Sequence, residues 1–150
     1  RDFRLAPHAR EVDILLALRK GDAEKLRSLA AEFRGSRYLY VPKYVAWAEA
    51  KACAERMGGH LLTLSSPAEN DFISSLFPAG CWFWLGLRTT EQGQEWVTGE
   101  PVTYAAFIDV IRERILGPKV FFSGAWSYDV DGEARNTFMI EWDEGTASHQ

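Results

Sequence analysis

The spacing of hydrophobic positions changes several times along this chain, and each change marks an element. From Ala9 to Lys20, Ile14, Leu15 and Leu18 fall at helical spacing, and Val12 and Leu16 widen the apolar surface. Gly21 suits a helix end and Asp22 the cap of a second helix, Ala23 to Arg34, whose Leu26, Leu29, Ala30 and Phe33 follow i, i+3, i+4, i+7. Residues 1–35 are therefore predicted to form an αα-hairpin. Each arm is too short to stand alone in water, so the hairpin is expected to pack on the rest of the chain. Tyr38 to Val41 predicts a strand closed by Pro42. The alanine-rich run Tyr44 to Met57 predicts a helix stopped by Gly58-Gly59, and Leu61 to Leu64 a short extended passage. Ser66, Pro67 and Glu69 then stand as N-cap, first helical residue and third residue of a capping box. The helix they start turns Phe72, Ile73 and Leu76 inward and ends at Pro78.

The densest apolar run is Cys81 to Leu87, with Trp84-Leu85-Gly86-Leu87 at its centre. It predicts a strand buried on both faces, where alternation is not required. Gly86 within it predicts the close approach of another segment. Glu91-Gln92-Gly93 is turn material before a strand around Trp96, and Val102 to Phe107 is expected to be extended. Ile108, Ile111 and Ile115 share a helical face ended by Gly117-Pro118, predicting a helical turn or two. Val120 to Phe122 and Ala125 to Tyr128 predict strands joined at Ser123-Gly124, and Asp129 to Arg135 a polar loop. Thr137 to Trp142 predicts a closing strand, with residues 144–150 a loose tail.

Hydrophobic residues make up 47% and aromatics 13% of the 150 residues, enough to build a core without cross-links. The net charge of −4 argues against nucleic acid or an anionic membrane surface as partner. No apolar run approaches the roughly 18 residues of a membrane span. Residue 1 is Arg, which predicts a segment of a longer chain.

Six separated motifs, in this order, resemble the C-type lectin-like domain. They are Ala46 to Cys53, Gly58 to Ser66 with Glu69 to Phe72, Trp84 to Leu87, Glu95 to Gly99, Gly124 to Trp126, and Phe138 to Glu141. The resemblance covers about residues 37–142 and implies an α+β fold, two helices flanking a curved antiparallel sheet whose ends lie close together. The division expected is a helical appendage at 1–35, the lectin-like domain at 36–143 and a tail at 144–150. Trp84, Leu85, Gly86, Leu87 and Trp126 are the structural motif residues that this resemblance implies. It also implies a disulfide partner for Cys53 at the position of Ile140, which cannot bond. Cys53 and Cys81 are expected to be free thiols, which leans towards a reducing compartment although the family is often extracytoplasmic; a Cys53–Cys81 bond is the alternative. The chain is read as a divergent, bacterial member of the family.

In the calcium-dependent lectins of this family, oxygens from two motifs hold the ion, and the sugar completes the shell. Glu100-Pro101 looks like half of the first, but Val102 stands where the amide should be and the pair precedes Thr103-Tyr104, so it is read as the turn into the next strand. The second reads Trp126-Ser127-Tyr128-Asp129, with no carboxylate at either ligand position. No metal and no cofactor are therefore expected. Asp129-Val130-Asp131-Gly132 is similar to the start of an EF-hand, but Phe138 stands where the closing acidic residue is needed. His60 is expected to serve packing, and His8 and His149 make no zinc spacing with it.

The candidate ligand contacts are Arg112 and Arg114 beside the isoleucine face, Trp126 and Tyr128 as aromatic surfaces, and the loop carboxylates Asp129 and Asp131. For each a bland reading stands alongside: a solvated helix face, core packing, a hydrated loop. The function expected is a non-catalytic recognition module that binds a protein or glycan without calcium. The alternatives are a calcium-dependent sugar binder, a structural spacer and an enzyme, the last of which would need a converging polar cleft.

Overall fold

The computed structural model describes residues 7–76, 82–108, 114–122, 124–128 and 134–143. Helices α1 (Pro7–Lys20) and α2 (Ala23–Ser28) lead into strands β1 (Ala31–Phe33) and β2 (Ser36–Val45). Helix α3 (Trp47–Arg56), strand β3 (His60–Leu61) and helix α4 (Pro67–Ser75) come next. The rest is strand: β4 (Trp82–Thr90), β5 (Gly93–Trp96), β6 (Gly117–Phe122), β7 (Ala125–Tyr128) and β8 (Asn136–Trp142). The sheet runs β1-β2-β8-β4-β6-β7, with β3 also on β8 and β5 also on β4. Every pairing of these strands is antiparallel except β4 with β8. The α+β architecture is the one the motifs imply. Its ends are close because Arg37 near the start of β2 pairs with Trp142 at the end of β8.

Strand β4 is the centre, and it is buried on both faces. Trp84 faces one core with Val41, Cys53, Leu61 and Ile140, while Phe83, Leu85 and Leu87 face the other with Leu62, Ile73, Trp96 and Phe121. Gly86 is where chains crowd, as predicted. Its N–H donates to the Leu62 carbonyl and its carbonyl accepts from Val97 N, both at 2.8 Å. A Cβ there would come within 2.9 Å of Val97 Cγ2 and 3.0 Å of the Leu61 carbonyl oxygen. Two indoles lock the neighbouring turns: Trp84 Nε1 donates to Val45 O at 2.8 Å and Trp47 Nε1 to Leu85 O at 2.7 Å.

Three local expectations are corrected. The second helix stops at Ser28 instead of running to Arg34, and Ala31–Phe33 is a strand. Arg34 and Gly35 both take positive φ, 53° and 89°, the conformation of a two-residue hairpin turn, so Gly35 turns a strand and does not end a helix. Phe33 thereby stacks on Phe72 at 4.4 Å, a contact the helical register would have forfeited. On α1 the inward face is Ile14 and Ala17, with Leu15 left exposed; the hairpin's main anchors are these two and the fully buried Leu26. Strand β2 does not close at Pro42. Val41 pairs with Phe138 and Val45 with Asn136, so Pro42 sits in a bulge that needs no N–H from it.

The capping box is also wired differently. Ser66 Oγ accepts from Glu69 N at 3.2 Å, but the Glu69 carboxylate reaches Ser65, accepting from both its N–H and its hydroxyl at 2.8 Å. Cys53 is a buried free thiol in the same core cluster as Ile140, and burial pushes its pKa up. Cys81 lies outside the described residues. No helix among the described residues is long and apolar enough to cross a membrane.

Candidate recognition site

The hairpin of β6 and β7 organises the region that the sequence marked for ligand contact. Val120 pairs with Ser127 and Phe121 with Trp126, and Gly124 makes the turn with φ 89°. Trp126 is pinned on all sides. Its N–H donates to Ala106 O at 2.8 Å, its carbonyl accepts from Ile108 N at 3.0 Å, and its indole N–H donates to Asn70 Oδ1 at 2.9 Å. The rings of Trp96, Tyr104 and Phe107 meet it edge-on at 5.4–5.7 Å. Trp126 is fully buried, so it serves as packing and not as a stacking surface for a ligand. The bland reading of that residue is the right one.

The predicted extended passage from Val102 to Phe107 makes a ladder contact only at Phe107, which bridges to Trp126. It delivers the chain to the surface at Ile108. The chain returns through Arg114 to Ile115 and Leu116 before entering β6. Arg114 is exposed, and the apolar Ile108, Ile115 and Leu116 stand 49%, 38% and 59% open to solvent. Arg112, Asp129 and Asp131 lie outside the described residues. Tyr128 is the last residue of β7, paired with Lys119.

Glu100 and Ser127, weighed above against the family's two calcium motifs, are both engaged locally. Gly99, at φ 81°, turns the chain, and Glu100 folds back so that its carboxylate accepts from Thr98 Oγ1 at 2.6 Å. Ser127 is buried within the hairpin. On the paired strand Lys119 is fully buried and donates to the Ile115 carbonyl; burial pulls its ammonium down to about 8.

A second polar cluster lies across β4 from that hairpin, where β3 meets the exit of β8, and sequence reasoning missed it. His60 on β3 pairs in register with Glu141 on β8, and Asp143 stands two residues on, one pleat along the same face. His60 Nε2 meets Asp143 Oδ2 at 2.6 Å, and its Nδ1–H donates to Leu61 O at 2.7 Å. Asp143 Oδ1 accepts from Ser36 Oγ at 3.2 Å. Glu141 is buried, and its Oε1 accepts from Thr63 N at 3.0 Å. Burial, reinforced by the neighbouring Asp143, holds the Glu141 carboxyl well above the usual carboxylate range. The bond from His60 holds Asp143 down to about 2. For His60, burial pulls downward, but the bonds to Asp143 and to the Leu61 carbonyl outweigh it and the net shift is upward. The signal was the period-two spacing of Glu141 and Asp143, but nothing in the sequence states which residue of β3 faces them.

A groove of about 750 Å³ opens between α1, the β2 bulge and α3, walled by Leu15, Leu18, Pro42 and Cys53, with Lys43 and Arg56 among its lining residues.

Comparison with known proteins bears on the whole. The family model described as Lectin C-type domain matches residues 43–145. One subunit of the snaclec coagulation factor IX-binding protein of Gloydius halys is 31% identical over 121 residues, covering 73% of this chain and 99% of that one. C-type lectin domain family 17, member A, of Homo sapiens is 33% identical over 73 residues, covering 47% of this chain and 19% of that protein, so the match spans about a fifth of that relative. Among solved structures, the Ca2+-independent C-type lectin SPL-2 from Saxidomus purpuratus aligns at a TM-score of 0.68 with 25% identity, over 76% of this chain and 91% of that one.

Proposed function

The chain belongs to the C-type lectin domain family, a family of non-catalytic binding modules, and from that premise we propose that it recognises its ligand, a protein more readily than a glycan, without calcium. One observation carries the reading: where the family's calcium-dependent members carry their ion-holding loop, this chain turns Ile108, Ile115 and Leu116 out to water. Apolar side chains at that point suit a protein surface, whereas calcium wants six to eight oxygens, several of them charged. The Glu100 carboxylate is spent on Thr98, and Ser127 and Tyr128 offer no charge at the second motif. Calcium independence in the name of SPL-2, and a protein ligand in the name of the snaclec, support the same reading. Arg112, Arg114, Tyr128, Asp129 and Asp131 are proposed as contacts around the apolar centre. The helices before Ala31 and the lectin-like body are proposed to fold as one unit.

Calorimetry and melting with millimolar calcium test this. The expected outcome is no heat and no shift in Tm. A saturable calcium-dependent shift abolished by Asp129→Ala overturns it in favour of a calcium-dependent sugar binder.

A further inference from the structure

The cluster at the end of β8 joins two carboxylates to an imidazole, a donor that oxygen-only calcium sites do not use. One ring nitrogen of His60 and one oxygen each of Glu141 and Asp143 lie within 4.8 Å of one another. Each is fixed by something outside the trio. His60 gives its Nδ1–H to the Leu61 carbonyl, which sets the ring so that Nε2 faces the two carboxylates. This is the orientation in which a metal-ligating histidine is held, with its other N–H on a backbone carbonyl. Glu141 is buried at 3% exposure with Oε1 engaged by the Thr63 amide, and its carboxyl is hydrogen-bonded to that of Asp143. Ser36 steadies Asp143 from the other side. Such a facing pair needs a cation or a proton between its oxygens.

We propose that His60, Glu141 and Asp143 form a binding site for a divalent transition-metal ion of the zinc class. A tetrahedral zinc with ligand bonds near 2.0–2.1 Å sets its donors about 3.3 Å apart. The 2.6 Å contact between His60 and Asp143 has therefore to open by under about 1 Å, a small rotation of the half-exposed Asp143 side chain. One imidazole with two carboxylates favours zinc over calcium, which prefers oxygen ligands in larger number. Three protein donors leave a fourth position, on the open Asp143 side, for water or for a donor atom of a bound molecule. The ion would clip β3 to the exit of β8.

The test is calorimetry of the full, chelator-stripped chain with zinc chloride, and with calcium and magnesium chlorides in parallel. One zinc per chain is expected, with a raised Tm and no response to the other two ions that depends on His60. His60→Gln and Asp143→Asn, each verified as folded by circular dichroism, are expected to weaken zinc at least tenfold. Cobalt in place of zinc is expected to give visible absorption that His60→Gln removes. No zinc heat from the parent chain overturns the proposal, as does zinc heat of equal affinity in both variants. Either failure leaves the calcium-independent reading of the recognition surface untouched.

Discussion

Trp126 donates its indole N–H to Asn70 Oδ1 at 2.9 Å, and Asn70 in turn donates through Nδ2 to the Gly124 carbonyl at 2.7 Å. One amide thus ties helix α4 to both ends of a short span in the β6–β7 hairpin. Asn70 is itself buried, so neither bond can be replaced by water without rearrangement.

Asn70→Ala is expected to cost about 2 kcal/mol, since it leaves the buried indole N–H without an acceptor. Asn70→Asp, which keeps an oxygen towards Trp126 but removes the donor to Gly124, is expected to fall between the two. Urea midpoints of the three proteins measure this. An Asn70→Ala midpoint equal to the parent's contradicts the arrangement.

Gly86→Ala is expected to destabilise by roughly 1–3 kcal/mol, because the new methyl meets Val97 and the Leu61 backbone. Adding Val97→Ala relieves only the side-chain half of that clash. The double variant is therefore expected to recover part of the loss and not all of it. Denaturant unfolding of the pair measures the coupling; full recovery indicates that the Leu61 carbonyl is not in the way.

Leu26→Ala is expected to lower stability by about 3 kcal/mol, the usual cost of emptying a buried leucine site. Calorimetric scanning is expected to keep a single transition at lower temperature. A separate early transition means that α1 and α2 melt on their own and are an attachment instead of part of the body.

Lys119 sets a pH dependence. Burial lowers its folded-state pKa from 10.5 to about 8. Between those values the unfolded chain binds more protons than the folded one, so stability rises with pH there; below about 8 the lysine is charged in both states and contributes no slope. The urea midpoint of the parent, taken relative to Lys119→Met, is expected to climb from pH about 8 to pH about 10. A flat difference across that window refutes a buried, proton-shedding lysine.

Much of the fold was legible because its marks are local. A run like Trp84 to Leu87 has few uses besides a doubly buried strand, and Ser66-Pro67 with Glu69 has few besides a helix start. The misreadings came where a local pattern had two solutions. Leu26 to Phe33 fits a helix, but the ring of Phe72, thirty-nine residues on, decides for a strand. Trp126 is an aromatic in a suspected site, and only its neighbours reveal that no face is free. The His60 cluster was unreadable for the same reason: histidine and carboxylates lie about eighty residues apart in sequence and meet only through the register of β3 on β8.

The pairing of β2 with β8 also has a mechanical meaning. Because Arg37 and Trp142 are partners, the stretch from Arg37 to Trp142 begins and ends at one point, with β1 paired beside that seam and α1 and α2 packed on the same core. Tension applied across the two flanks pulls those strands apart from that end, one pair at a time, so the load falls on single rungs in succession and never on the whole ladder at once. Once α1, α2 and β1 have come away, the next links to feel it are Ser36 with Asp143 and Arg37 with Trp142, at the very margin where His60 grips Asp143. A domain strung in this way adds little length to a tether while folded. It is expected to yield at low force, opening from its seam while Trp84 and the second core still hold.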